Sequence, residues 1–327
     1  MFTDQYNRKL NYLRLSVTDK CNFRCFYCMP EAGIPHLPKK EVFSYEELLR
    51  ISSLLTDNGV NKIRITGGEP FVRKGLHLFL KELSILKNVP ELSITTNAAL
   101  IGPYIDILKS IGVKSINVSL DSLNEQNFFR ITRRDNFNKV YQNLHDLIKS
   151  GFDIKVNCVV MKGRNIGDII PLAELAEEHN VEVRFLEEMP FNASGTQDAI
   201  LHWDYKRILY FLSQHFGKLE KMNNAPNSTS TNFQVRGFKG SIGVIPAFSR
   251  TFCGACNRMR ISANGDFRTC LYGDPALNLK TALRQGIDDN ALLKLINNAI
   301  AKKPINGFAA EKESGKKNKE SMSVIGG

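Results

Sequence analysis

Short runs rich in β-branched residues recur along the first two thirds of the chain, and within each run apolar and polar positions alternate. They fall at 12–17 (YLRLSV), 61–66 (NKIRIT), 92–96 (LSITT), 115–120 (SINVSL), 154–160 (IKVNCVV) and 181–186 (VEVRFL), each about the length of a strand. Helical patterns fill the gaps. One begins at Ser44, where SYEE matches a capping box ahead of LLRISSLL and Gly59 follows the end. Others fit near 75–87, 101–111, 136–150 and 168–179, the last two closed by Gly151 and Asn180. Six strand-then-helix repeats imply parallel strands joined by right-handed crossovers. The expected fold class is therefore α/β, a partial or complete (β/α) barrel, with an open doubly wound sheet as the alternative.

From about residue 219 the pattern changes. NNAPNSTSTN is turn-rich and weakly hydrophobic, so it reads as linker or surface loop. Short strands follow at 233–238, 242–245, 258–262 and 266–271, then helices at 276–285 and 288–302. These cues predict a barrel unit over 1–218 and a smaller C-terminal α+β region over 219–327.

Alternation also divides each barrel strand into two faces. Leu13, Leu15 and Val17, Ile63 and Ile65, Ile116, Val118 and Leu120, Ile154 and Val156, and Val181, Val183 and Phe185 are expected to pack against helices. The opposite face carries Arg14 and Ser16, Arg64 and Thr66, Thr95, Asn117 and Ser119, Lys155 and Asn157, and Arg184. Branched apolar side chains usually fill a barrel interior. Three arginines and a lysine with few acids from the same strands call for an anionic guest, since an unpaired buried charge costs several kcal/mol. Arginine suits bidentate phosphate contacts, so a polyphosphate is expected. The plainer alternatives are pairing with acids elsewhere, or exposure at strand ends.

The chain has 327 residues, 43% hydrophobic and 24% charged, as in an ordinary soluble globular protein. No apolar run is long enough to span a bilayer, and MFTDQYNRKL lacks the apolar core of a signal peptide, so a cytoplasmic location is expected. Thiols in that reducing setting bind metals or react more often than they pair. The net charge of +11 is spread along the chain without a recognisable nucleic-acid-binding motif, and neither a nucleic acid nor a membrane is expected as partner.

Six of the seven cysteines form two triplets. Cys21, Cys25 and Cys28 make C-x3-C-x2-C; Cys253, Cys256 and Cys270 make C-x2-C-x13-C, and Cys158 reads as a core thiol. A structural zinc site wants four ligands, which Asp19 or His36 could complete for the first triplet. A cubane held by three thiolates instead leaves one iron open to chemistry. The first triplet follows strand one, GGEP (67–70) strand two, TTN strand three, SLD strand four, and EEMP with Met189 strand six. These are the strand ends where ligands bind in both candidate folds. The paired glycines would admit a ligand to the backbone, and Glu69 could meet its ammonium.

CNFRCFYC, followed after a helix by ITGGEP, resembles the radical S-adenosylmethionine (SAM) superfamily, in which the triplet holds a [4Fe–4S] cubane whose fourth iron is chelated by SAM. The resemblance implies the partial, six-repeat barrel of that superfamily. A narrower likeness covers nearly the whole chain. LRLSVTDKCNFRCFYCMP, IRITGGEP, INVSLD, KVNCVV, VRFLEEMP, FCGACNRMRIS with Cys270, and the terminal IGG are similar to the GTP 3',8-cyclase family, lyases that open molybdenum cofactor biosynthesis.

That likeness implies two [4Fe–4S] clusters, one on Cys21, Cys25 and Cys28 that cleaves SAM, and one on Cys253, Cys256 and Cys270 that receives the guanine of GTP. It places SAM at Tyr27, Gly68, Ser119 and Met189, and GTP at Arg14, Arg64, Thr95, Lys155, Arg258, Met259 and Arg260, with Arg184 near the nucleotide. The implied reaction runs from hydrogen abstraction at C3' of GTP to attack on C8 of guanine. No side chain is singled out as a general base. Implied partners are an electron donor such as flavodoxin or ferredoxin and the next pathway enzyme, cyclic pyranopterin monophosphate synthase, with the chain a monomer or homodimer. Two places stand apart. Ala98 occupies a position where the family usually has glycine, and the charged tail reads as disordered on composition, although the family counterparts of Gly326 and Gly327 enter the active site. Rival readings are a peptide-modifying radical SAM enzyme and a zinc-dependent nucleic-acid-binding module.

Overall fold

In the computed structural model, which describes residues 1–189, 201–314 and 321–326, twelve strands form one continuous sheet. Six of them are the predicted runs: β1 Tyr12–Ser16, β2 Lys62–Thr66, β3 Glu91–Thr96, β4 Ser115–Ser119, β5 Asp153–Val160 and β6 Glu182–Glu187, adjacent in that order and parallel throughout. Helices α1 Tyr45–Asp57, α2 Leu76–Ser84, α3 Ile105–Ser110, α4 Glu125–Thr132, α5 Phe137–Lys149 and α6 Ile169–Glu178 make the crossovers. The capping box is present: Ser44 Oγ accepts from Glu47 N at 3.1 Å, and Glu47 Oε2 accepts from Ser44 N at 2.7 Å. Every residue assigned to the helix-facing side of β1, β2, β4, β5 and β6 is buried in one core.

The last third of the chain follows α7 Tyr205–Phe216 and lengthens this sheet at both edges. At one edge β9 Ser241–Ile245 lies parallel to β6, with β8 Thr231–Gln234 and β7 Glu220–Lys221 antiparallel beyond it. At the other, β10 Arg258–Ile261 lies parallel to β1, followed by the antiparallel strands β11 Asp266–Arg268 and β12 Leu277–Asn278. The C-terminal region therefore widens an open barrel from two sides and builds no separate sheet. Helices α8 Leu279–Arg284, α9 Asp289–Ala301, α10 Gly307–Ser314 and α11 Met322–Ile325 complete the described elements, and none is long and apolar enough to cross a membrane.

Local expectations change, the strand expected at 266–271 ending at Arg268 among them. The strand expected at 233–238 ends at Gln234, because the chain turns at a left-handed Gly237. The helix expected from 276 begins only after Asn278, which pairs in β12 and whose side chain then caps the N–H of Thr281. The short α4 was not anticipated, although Asn124 caps it by accepting from Asn127 N and Phe128 and Ile131 share its buried face.

Candidate active site

Register fixes the layers of the barrel interior. Arg260, Arg14 and Arg64 are direct neighbours on β10, β1 and β2, while Arg258, Tyr12 and Lys62 form the adjacent layer toward the strand starts. Cys21, Cys25 and Cys28 follow the end of β1. Cys256 precedes β10 and Cys270 follows the antiparallel β11, so the second triplet lies at the opposite end of the strands. β1 has five residues; at about 3.3 Å each they put roughly 16 Å of wall between the triplets. A single cavity of about 610 Å³ is lined by all six cysteines. The strand-end rule for ligand loops thus locates the first triplet and misses the second.

The first triplet sits on a braced loop. Cys28 N and Met29 N donate to Cys25 O at 2.9 and 3.0 Å, and Arg24 N and Phe26 N donate to Thr132 O and Ile131 O at the end of α4. Burial pushes the Cys21 thiol up to about 12 and Cys25 well above the usual range. Burial also raises Cys28, partly offset by hydrogen bonds from Ser321, Ser323 and Met322. Iron must therefore displace protons from this site. In the second triplet burial raises Cys253, whereas Cys256, buried too, is brought down to about 7 by the positive field of Lys303, Arg258 and Arg260.

Gly68 stands where two loops meet. Its N–H donates to Thr18 O at 2.8 Å, and a Cβ there would lie 2.3 Å from Lys20 O. The close approach is thus between the glycine loop and the chain leading into Cys21. Gly68→Ala is expected to destabilise the apo chain by about 1–3 kcal/mol through overpacking, measured by denaturant unfolding; an unchanged midpoint would show that the loops part freely. Glu69 is fully buried and accepts from Phe71 N, Thr96 Oγ1 and Asn97 N at 3.2, 2.8 and 2.7 Å, so it fastens β3 to the glycine loop close to Cys21, whose thiol its charge helps to raise.

Tyr27, Gly68, Ser119 and Met189 all line the cavity. Tyr27 donates to Asp121 Oδ2 at 2.8 Å; burial lifts the Asp121 carboxyl to about 6 while Val159 N donates to its other oxygen. Met189 Sδ accepts from Tyr272 at 3.6 Å. Arg14, Arg64, Thr95, Lys155, Arg258, Arg260 and Arg184 also line it. Met259 does not. Alternation on β10 turns its side chain outward into the helix-facing core, where it is completely buried. Two expected free cations have partners two residues back on their own strands, Lys155 with Asp153 and Arg184 with Glu182. Among the described residues, Arg14, Arg64 and Arg260 have no carboxylate partner. Burial, then the neighbouring Arg260, holds Arg14 well below its usual pKa; burial, then Arg258, brings Arg260 to about 10. Arg14 Nε, Thr95 Oγ1, Asn117 Oδ1 and Asn157 Oδ1 are buried without hydrogen-bond partners.

Tyr12 and Lys62 were missed, although each stands two residues before a predicted arginine and so shares its face. Ala98 is left-handed at φ 61° and buried, its carbonyl accepting from Asn143 Nδ2 at 2.7 Å; a glycine-like backbone is thus kept with a methyl group in place. The tail also reaches inward. Ser321 Oγ donates to Cys28 O at 2.8 Å, and Gly326, whose O accepts from Arg260 at 3.1 Å, fits so closely that a Cβ would lie 2.8 Å from Ser16 Cβ. Gly327 lies outside the described residues.

Two family models match, "Radical SAM superfamily" over residues 15–176 and "Molybdenum Cofactor Synthesis C" over 181–308. The chain is 41% identical over 312 residues to the GTP 3',8-cyclase of Hydrogenovibrio crunogenus, covering 94% of both chains. The chain belongs to the GTP 3',8-cyclase family. It is also 40% identical over 306 residues to molybdenum cofactor biosynthesis protein 1 of Dictyostelium discoideum, covering 93% of this chain and 49% of that protein; the chain thus spans about half the length of that curated relative. The SAM-bound structure of Streptococcus suis SuiB shares the fold, with TM-score 0.63 and 17% identity over 91% of this chain and 67% of that one.

Membership of the radical SAM superfamily and of the cyclase family implies SAM and a [4Fe–4S] cluster as cofactors. The residues fit them. Three uncrosslinked thiols converge on one cavity beside a glycine loop and a Tyr27–Asp121 pair. Among the described residues no three His, Cys, Asp or Glu side chains gather as they would around one ion.

Proposed function

We propose that this cyclase family member converts GTP to (8S)-3',8-cyclo-7,8-dihydroguanosine 5'-triphosphate, the first step of molybdenum cofactor biosynthesis. We assign a SAM-binding cluster to Cys21, Cys25 and Cys28, and a second cluster, facing the guanine, to Cys253, Cys256 and Cys270. The observation that carries the reading is the layering of one cavity: a triplet at each end and, between them, three arginines without a carboxylate partner among the described residues.

Cys21, Cys25 and Cys28 would hold the cluster, which together with SAM would supply one-electron cleavage of SAM and abstraction of a hydrogen atom. The chain's own residues do the positioning. Arg14, Arg64 and Arg260 neutralise the triphosphate, for which their uncompensated charge is suited. Thr95, Asn117 and Asn157 offer polar atoms that lack protein partners to the sugar or base. Tyr27, Ser119 and Met189 flank SAM on the side of the first triplet. Gly326, held against Ser16 and bonded to Arg260, helps exclude water between the two ligands. The unit boundary at 218/219 is part of this reading, the C-terminal segment bringing the second triplet and β10 to an otherwise open edge.

Anaerobic incubation with SAM, GTP and dithionite should yield 5'-deoxyadenosine and a cyclised product equal in mass to GTP; deoxyadenosine without cyclised nucleotide would reject the substrate. The reconstituted protein should carry about eight irons, falling to about four in a Cys253→Ala/Cys256→Ala/Cys270→Ala variant. Four irons in both would remove the second cluster from the reading.

A further inference from the structure

We propose that Lys303 is the built-in counter-cation of the second triplet, pinned in place by the N-terminal turn of the chain. This rests on the reading of Cys253, Cys256 and Cys270 as cluster ligands. Lysine is rarely buried without a charge partner, yet Lys303 is 2% exposed and among the largest fully buried side chains. Among the described residues no carboxylate pairs with it. Its ammonium donates to Arg258 O at 3.0 Å and to Thr269 O. Arg258 lies two residues after Cys256, and Thr269 directly precedes Cys270, so one cation ties together two arms of the triplet.

The turn that carries Lys303 is held from outside. Gln5 Nε2 donates to Lys303 O at 3.2 Å; Arg8 donates to Pro304 O and Ile305 O, both at 2.7 Å, and to Cys253 O at 3.2 Å. The Asp4 carboxylate in turn holds Arg8 Nε at 2.6 Å. Thus the segment that reaches the third arm of the triplet also prevents Lys303 from withdrawing toward solvent. A fixed cation in a low-dielectric wall favours assembly of three thiolates, and it favours an added electron over the oxidised state, because reduction makes the centre more negative.

The test uses the Cys21→Ala/Cys25→Ala/Cys28→Ala chain, whose remaining cluster is the second one. Lys303→Met removes charge and hydrogen bonds; Lys303→Gln removes the charge but still offers N–H donors to the carbonyls. After anaerobic reconstitution, iron and sulfide are counted and the midpoint potential is measured by EPR-monitored titration. Both variants are expected to lower the equilibrium constant for reduction at least about tenfold, a shift of about 59 mV to more negative potential. A wild-type potential in Lys303→Gln, whether or not Lys303→Met shifts, would mean that Lys303 acts only as a brace and would overturn the proposal. Should either fail to fold, Arg8→Gln loosens the turn from outside and is expected to shift the potential less but in the same direction; no shift there overturns the proposal equally. A parent variant that binds no iron at all defeats the cluster reading itself, which keeps the two failures apart.

Discussion

With alanine at Cys21, Cys25 and Cys28, formation of 5'-deoxyadenosine from SAM is expected to fall to the uncatalysed background while about four irons per chain remain. The reason lies in the loop. The three thiols line one end of the cavity, and among the described residues no histidine and no fourth cysteine lines it beside them. Alanine leaves the backbone bonds from Cys28 N and Met29 N to Cys25 O untouched, so the fold should persist. The variant lacking Cys253, Cys256 and Cys270 makes the contrast. It too should retain about four irons, yet it should still release deoxyadenosine and make no cyclised nucleotide. Persistent SAM cleavage in the first variant, measured by chromatography after anaerobic reduction, would sink the assignment of the two ends.

Arg14→Met is expected to move affinity and stability in opposite directions. The Arg14 guanidinium is partly open to the cavity, its Nε is enclosed without a partner, and Arg260 and Arg64 flank it in register. Losing a charge-assisted contact worth about 1.5–3 kcal/mol should weaken GTP binding roughly 10- to 100-fold. Removing an unpaired charge while keeping an apolar stem should stabilise the ligand-free chain by about 1 kcal/mol. Equilibrium dialysis with GTP and thermal unfolding of the apo protein check the two signs. A loss of both affinity and stability would mean that Arg14 is a structural residue with a partner that the ligand-free cavity does not reveal.

The central barrel was legible because period-two alternation needs only local sequence. That rule placed Arg14, Arg64 and Thr95 on the cavity side and Leu13, Ile63 and Val183 in the core. The same rule, applied to R-M-R, would have turned Met259 outward; grouping the three residues as one motif overrode it. The acids Asp153 and Glu182 were also readable, at i−2 to Lys155 and Arg184: Asp153 stands just before the run at 154–160, and Glu182 lies inside the run at 181–186, where the count of cations on one face passed over it. Pairing of β10 with β1 and β9 with β6 was not legible. Neither strand carries a local sign of a partner so distant along the chain, and only the assembled sheet leaves those two edges open to them. Composition misjudged residues 321–326 for a related reason. Gly326 finds its contacts on β1 and β2, and Ile325 packs with Tyr272 and Ala310, none of which a window around residues 321–326 contains.

That pairing of β1 with β10 sets a timetable for synthesis. Tyr12 waits for Arg258, and at about 5–20 residues per second the wait lasts tens of seconds. Through that interval β1 presents an unpaired edge next to three reduced thiols, in a nascent chain whose interior arginines have no phosphate to hold. Contacts so far apart in sequence are also slow to form. Overproduction at high temperature should therefore favour aggregates over soluble apo protein, and slower translation should raise the soluble fraction before any iron is supplied.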